Sequence, residues 1–305
     1  GQLAAGGMAK IWLAQERGEP SRTVVLKTLL DPKGLSNESV EMFLQEARIV
    51  AMLSHPAIAR IYEVGFELDH PFIAMEYVPG RTLEELAKVV GRRGELLPSS
   101  IAAFIISQCC GGLHSAHVLK DSKGQPLTVV HRDVKPRNVV ISYSGEVKLI
   151  DFGIAKTRMS QDFTAPGTVR GTVTHLAPEQ AMGEPAGVAV DIWALGVLLY
   201  WLQCGQLPFD GKDDLEIMRA IVDAAPAPPS ERRYGVAPEL EHVALSALRK
   251  EPADRYPTAE AMAQALDVYL LRHPSSKAGL AALMNAVFPK GKDPERVRVD
   301  GLIAG

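Results

Sequence analysis

Residues 131–138 read HRDVKPRN, and the triplets DFG at 151–153 and APE at 177–179 follow them in that order. Asp and Asn are common turn residues, so each of these positions taken alone carries little information. Their joint occurrence at these spacings is much harder to reach by chance. The carboxylates of Asp133 and Asp151 can orient a hydroxyl group and bind a divalent cation.

Two short predicted strands follow HRDVKPRN. Two strand-like pieces, Val139 to Ile141 and Val147 to Leu149, are separated by Ser144-Gly145, a pair typical of a hairpin turn. Upstream, Val24 to Lys27 read as a strand that ends in a lysine, and Glu46 lies on the helical stretch after it.

The first part of the chain alternates β-prone runs with one helical stretch. The β-prone runs are Lys10 to Ala14, Thr23 to Leu29, Ile61 to Phe66 and Phe72 to Tyr77. In the helical stretch, apolar residues recur three and four positions apart, at Val40, Phe43, Leu44, Ala47 and Val50. This pattern predicts a small sheet that carries one helix.

Helical patterns dominate after Pro79-Gly80, a pair that interrupts regular structure. Helices are predicted at Thr82 to Val90, Pro98 to His117, Ala189 to Gln203, Asp213 to Val222, Pro238 to Arg249 and Thr258 to Leu271. A further strand-like piece lies around Val129, and residues 118–126 predict a surface excursion. We therefore expect a sheet-rich unit, a helical unit and a cleft between them.

The composition is that of an ordinary globular protein. Of the 305 residues, 47% are hydrophobic and 23% are charged, which excludes a disordered, collagen-like or coiled-coil chain. With 33 basic and 36 acidic residues the net charge is −3. No global positive field attracts nucleic acid or anionic lipid, so no nucleic-acid partner is predicted.

The cysteines and the longest apolar run give expectations about location. Three cysteines, Cys109, Cys110 and Cys204, do not form a disulfide framework and favour a reducing cytoplasm. The run from Ile192 to Leu202 is shorter than the ~20 residues needed to cross a bilayer, so it predicts a buried helix. We expect a cytoplasmic segment without a membrane span, although a longer parent chain could be tethered.

Together these motifs resemble bacterial eukaryotic-like serine/threonine protein kinases over roughly residues 3–273. The resemblance implies an α+β, bilobal protein-kinase-like fold: a small sheet-rich N-lobe with one key helix, a larger helical C-lobe, and a nucleotide cleft between. The N-lobe would be 1–78, with its first strand missing or truncated, and the C-lobe 79–273. Residues 274–305 would form an extension with a short amphipathic helix and a charged tail at Lys290 to Arg298.

The implied reaction moves the γ-phosphate of ATP to Ser and Thr hydroxyls of protein substrates, with Mg²⁺, or alternatively Mn²⁺, as the metal. Asp133 would accept or orient the hydroxyl proton, and Lys135 would contact the γ-phosphate. Lys27 would bind the α- and β-phosphates, and Glu46 would hold Lys27 by an ion pair. The implied metal ligands are Asn138 and Asp151.

The resemblance also assigns a nucleotide pocket. Its members are Leu3, Gly6, Gly7, Ile11, Val25, Lys27, Met75, Glu76, Val78 and Val140. Met75 would be the gatekeeper, and the backbones of Glu76 and Val78 would contact the adenine edge. The phosphate-covering loop departs from the family pattern, because Ala4 and Ala9 stand where two glycines belong, and a methyl group restricts the backbone there.

The remaining implied residues are structural or regulatory. Arg132, Glu179, Asp191 and Arg255 would hold the fold around the site. Thr164 and Thr168 would be autophosphorylation sites in the activation segment, and Thr172 would be the P+1 threonine. Lys135 and Gly171-Thr172 favour a Ser/Thr kinase over a tyrosine kinase, and a kinase homodimer would serve trans-autophosphorylation.

Two alternatives remain open. The first is a pseudokinase that binds nucleotide as a scaffold, suggested by Ala4, Ala9 and the short start of the chain. The second is a related phosphotransferase that acts on small molecules. The complete set of charged motif residues disfavours the first, and the threonine-rich segment that ends in APE disfavours the second.

Overall fold

In the computed structural model, the N-terminal sheet has five antiparallel strands in the order β1-β2-β3-β5-β4. The structure describes residues 1–5, 9–17, 21–29, 37–67, 70–152 and 173–304. The strands are β1 (Gln2–Ala5), β2 (Ala9–Gln15), β3 (Thr23–Leu29), β4 (Ile61–Glu67) and β5 (His70–Glu76). Helix α1 (Asn37–Val50) packs on β4 and β5. Lys27 lies on the central strand β3, opposite Ile11 of β2 and Ile73 of β5.

A second, smaller sheet begins the C-lobe. Its strands β6 (Gly80–Thr82), β7 (Val139–Ser142) and β8 (Val147–Leu149) pair antiparallel in that order. The predicted β7–β8 hairpin forms, and Gly145 in its turn has a φ of +82°, a conformation that suits glycine. Residues 77–79, the hinge, connect β5 to β6 and so join the two sheets.

The C-lobe is built from helices around an apolar core. They are α2 (Leu83–Gly91), α3 (Ser99–His117), α4 (Pro178–Ala181), α5 (Ala189–Cys204), α6 (Asp214–Asp223), α7 (Pro229–Arg232), α8 (Pro238–Ala247) and α9 (Ala259–Arg272). Helix α3 packs against α5 and α9. The apolar run in α5 is buried along almost its whole length, as the sequence predicted for a core helix.

The predicted α+β architecture with a sheet-rich N-lobe and a helical C-lobe is confirmed. The strand expected around Val129 is wrong, because the Val129 N–H donates to the Ala116 carbonyl at the end of α3 instead of pairing with a strand. Among the described residues, no helix is long and apolar enough to cross a membrane.

The C-terminal extension contains two helices, α10 (Lys277–Val287) and α11 (Pro294–Ala304). The expectation of a charged tail from Lys290 to Arg298 is therefore corrected, because the second half of this segment is helical. Asp293 caps α11 by accepting a hydrogen bond from the Arg296 N–H at 2.8 Å, and Pro294 suits the first helical position. Charged residues stay helical here because the rest of the fold supplies partners for them.

Candidate active site

The centre of the candidate site is the HRDVKPRN loop, which leads directly into β7. The Lys135 ammonium lies 2.8 Å from the Asp133 carboxylate, and the Asn138 amide nitrogen donates to Asp133 Oδ2 at 2.9 Å. The same amide nitrogen donates to the Asp133 carbonyl at 2.8 Å. Because this nitrogen is committed to Asp133, the Asn138 amide oxygen is the atom left to bind a cation.

Asp191 holds the start of this loop from the first turn of α5. Its fully buried carboxylate accepts hydrogen bonds from the backbone N–H groups of His131 and Arg132, each at 2.8 Å, and from His117 Nε2 at 2.8 Å. Arg132 has a φ of +59°, a left-handed conformation that costs a non-glycine residue about 1–2 kcal/mol. The hydrogen bonds to Asp191 stabilise this strained turn, which immediately precedes Asp133.

His131 connects the loop to the DFG segment. Its Nδ1 accepts a hydrogen bond from the Asp133 N–H at 3.3 Å, and its Nε2 donates to the Ile150 carbonyl at 3.1 Å. The ring lies 4.4 Å from the Phe152 ring. Burial lowers the pKa of His131, and the two hydrogen bonds specify a neutral ring with its proton on Nε2.

The β7–β8 hairpin brings the two motifs together. The Ile150 N–H donates to the Asn138 carbonyl at 3.0 Å, so Asp151 lies beside the end of the loop. Asp151 has a φ of +54°, and its Oδ1 lies 2.7 Å from the Lys27 ammonium of β3. The Lys27–Asp151 ion pair thus crosses from the N-lobe to the C-lobe at the candidate site. Glu46 lies on α1, but its side chain is outside the described residues.

Several expected pocket residues lie on the strands of the two sheets. Val25 lies opposite Met75 of β5, both half-buried, and Val140 lies on β7. Ile11 is on β2 beside Lys27, and Leu3 is on β1. A small cavity behind Met75 is lined by Lys27, Asp151 and apolar side chains of β4, β5 and β8.

The hinge region has features that the motifs did not reveal. The Lys148 ammonium of β8 lies 2.8 Å from the Glu76 carboxylate, which also accepts the Arg60 N–H at 3.0 Å. Among the described residues, the Val78 N–H makes no hydrogen bond, so this donor is available to a ligand. The motifs also did not predict the role of His117, because nothing in the sequence indicates that it pairs with Asp191.

Arg255 and Glu179 form a buried ion pair behind the site. Two guanidinium nitrogens donate to the Glu179 carboxylate at 2.7 and 2.8 Å, and Arg255 also donates to the carbonyls of Arg249, Ala189 and Lys250. The side chains are 0% and 6% exposed. The pair fixes the APE segment to the base of α5 and to the loop before α9.

Some expected residues are outside the described part of the chain. These are Gly6 and Gly7 of the phosphate-covering loop, and Thr164, Thr168 and Thr172 of the segment after DFG.

Comparison with known proteins shows which family the chain is similar to. Residues 1–266 match the protein kinase domain family. The chain is 39% identical over 305 residues to the tyrosine-protein kinase MasK of Myxococcus xanthus, a match that covers 99% of this chain and 47% of that protein. It is 37% identical over 262 residues to the serine/threonine-protein kinase PrkC of Bacillus subtilis, covering 85% of this chain and 38% of that protein.

A third relative and a solved structure agree. The serine/threonine-protein kinase PknB of Mycobacterium tuberculosis is 35% identical over 267 residues, covering 85% of this chain and 40% of that protein. The crystal structure of the PknI kinase domain of M. tuberculosis superimposes with a TM-score of 0.65 at 28% identity, covering 88% of this chain and 93% of that one. The chain spans about half the length, or less, of the curated relatives it matches.

Proposed function

Because the chain belongs to the protein kinase family, we propose that it transfers the γ-phosphate of ATP to Ser and Thr hydroxyl groups of protein substrates. The observation that carries the proposal is that the structure brings together two groups of polar and charged residues at the cleft. Asp133, Lys135 and Asn138 come from the loop before β7, and the Lys27–Asp151 ion pair joins β3 to the DFG segment.

Asp133 is the group that faces the substrate hydroxyl in this proposal. Its carboxylate orients the hydroxyl and accepts its proton as the oxygen attacks the γ-phosphorus and the bond to the β-phosphate oxygen breaks. Lys135, 2.8 Å from that carboxylate, brings a positive charge next to the transferred group. Hydrogen bonds from Lys135 and Asn138 keep Asp133 oriented before the substrate arrives.

The donor set fits Mg²⁺. Asp151 supplies a carboxylate and Asn138 an amide oxygen, which are the hard oxygen ligands that Mg²⁺ takes together with substrate phosphates. Bound Mg²⁺ would neutralise charge on the β- and γ-phosphates. Lys27 lies beside Asp151 and would bind the neighbouring phosphate oxygens. The Val78 N–H, which bonds to none of the residues that the structure describes, would donate to the adenine edge.

The choice of Ser and Thr over Tyr rests on Lys135 and on the names of PrkC and PknB, whereas the name of MasK gives tyrosine. We further propose trans-autophosphorylation of Thr164 or Thr168 within a kinase homodimer. A reducing cytoplasm fits the three cysteines, all of which are buried and unbridged.

The test is transfer of labelled γ-phosphate to a mixed protein substrate, followed by phosphoamino-acid analysis. Wild type should label Ser and Thr, and Asp133→Asn should reduce the rate by roughly 10²-fold or more. Asp121→Asn is the matched control: Asp121 caps a surface turn by accepting the N–H groups of Lys123 and Gln125, and asparagine can do the same. Label on Tyr alone would overturn the proposed specificity for Ser and Thr. Equal rates of transfer by Asp133→Asn and wild type would overturn the proposed catalytic role of Asp133.

A further inference from the structure

Helix α10 fixes the C-terminal extension to the C-lobe beside the β7–β8 hairpin. Leu280 and Met284 are fully buried, and the Lys277 ammonium lies 2.6 Å from the Glu146 carboxylate. The backbone of α10 approaches Gly145 so closely that a Cβ there would clash with it. Helix α10 is therefore packed tightly on the C-lobe, and it fixes the position from which the following residues start. Those residues, 289–304, are here named the strap.

The strap is anchored next to the hinge by Arg81 of β6. The Arg81 guanidinium forms an ion pair with Asp293 of the strap, and the two side chains are only 10% and 14% exposed. The guanidinium also lies 5.1 Å from the centroid of the Phe288 ring and 3.0 Å from the Glu85 carboxylate. Low exposure protects this pair from screening by salt, so it can hold the strap firmly.

The far end of the strap reaches the N-lobe. Arg298 donates to the Gln2 carbonyl of β1 at 3.3 Å. The Leu302 side chain lies against Gly1, close enough that a Cβ on Gly1 would be 2.6 Å from Leu302 Cδ2. Because β1 runs directly into the loop expected to cover the phosphates, these contacts lie one strand away from the nucleotide pocket.

The strap also reaches the hinge through Tyr143, whose N–H donates to the Pro79 carbonyl at 2.8 Å. Burial raises the pKa of Tyr77 to about 12, and the neighbouring Tyr143 and Asp300 add to the shift. Arg296 of the strap lies 3.7 Å above the Tyr143 ring and donates to the Phe288 carbonyl at 2.8 Å. Through Tyr143, α11 is thus connected to the hinge.

We propose that the strap ties β1 to the C-lobe across the hinge and so positions the two lobes for nucleotide binding, with Arg81 and Arg298 as positioning residues. The inference rests on the proposed kinase function, because it assumes that the cleft binds ATP. By holding both lobes, the strap reduces the conformational freedom that nucleotide binding would otherwise remove. Loss of the strap contacts should weaken nucleotide affinity and leave the chemical step almost unchanged.

The test uses the double variant Asp293→Asn/Arg298→Ala in the full chain. Asn removes the charge that Arg81 binds but still caps α11, and Ala removes the contact with Gln2. The matched control is Arg272→Ala, which breaks an exposed ion pair between α9 and Glu239 of α8, outside the strap and the hinge.

Three quantities are measured: the Kd for MgADP, the KM and kcat for ATP, and hydrogen exchange of β1 amides without nucleotide. The double variant should raise Kd and KM by roughly three- to tenfold, with kcat within about twofold, and β1 should exchange faster. The control should match wild type in all three.

An unchanged Kd for MgADP and unchanged hydrogen exchange of β1 in the double variant would overturn the proposal that the strap holds β1. Equal losses in kcat and affinity would overturn the positioning role and indicate general destabilisation instead. If wild type binds no nucleotide, the proposed kinase function fails, whereas β1 exchange in the nucleotide-free chain still decides whether the strap holds the N-lobe.

Discussion

Replacing Arg255 with alanine should destabilise the protein strongly. The substitution removes two charged hydrogen bonds to Glu179 and leaves that carboxylate in a pocket where Glu179 is only 4% exposed. Breaking a buried ion pair on one side costs about 3–5 kcal/mol, because the remaining charge is desolvated without compensation. At about 2 °C per kcal/mol for a large domain, the melting temperature should fall by about 6–10 °C.

The assay is urea unfolding followed by circular dichroism, with thermal unfolding as a second measurement. Arg272→Ala is the comparison, since its ion pair with Glu239 is 68% and 39% exposed and should contribute less than about 1 kcal/mol. Adding Glu179→Gln to Arg255→Ala should recover part of the loss, because the amide is neutral. If Arg255→Ala cost no more than Arg272→Ala, the reasoning from burial would be refuted.

Three further substitutions test other parts of the structure. Lys27→Met should lower kcat/KM for ATP by about 10²–10³-fold, whereas Lys120→Met on the exposed excursion should not, as steady-state kinetics will show. The free energy of unfolding should fall as the pH drops below about 6.5, because His131 takes up a proton in the unfolded chain but not when it is buried. In urea unfolding measured at several pH values, His131→Phe should show a shallower fall than wild type. Gly145→Ala should lose at least about 1 kcal/mol more than Gly124→Ala in thermal unfolding: both glycines have positive φ, but only Gly145 faces the α10 backbone.

Local sequence signals predicted most of the fold. The helix that starts after Thr82 was predictable because Thr82 and Glu85 form a capping box, which acts within one turn. The β7–β8 hairpin was predictable from Ser144-Gly145, and with it the approach of the HRDVKPRN loop to Asp151. Spacing along a hairpin determines which residues become neighbours, so this part of the site follows from sequence.

Contacts between distant segments were not predictable in this way. No local pattern links His117 to Asp191, 74 residues later, or Arg81 to Asp293, 212 residues later. The sequence predicts a charged tail from Lys290 to Arg298, because six of these nine residues are charged. The helix of the strap depends on partners such as Tyr143, which only the folded chain supplies.

The central claim is that this chain catalyses phosphoryl transfer, and phosphosite mapping tests it most directly. Wild type and Asp133→Asn are each incubated with MgATP and analysed by mass spectrometry. Asparagine keeps the shape of the side chain but removes the carboxylate. We predict phosphate on Ser or Thr residues of wild type, with Thr164 or Thr168 among them, and at least roughly 10²-fold less on the variant after the same time. Nucleotide binding without phosphate on either protein or on any added protein substrate would contradict the claim and indicate a pseudokinase.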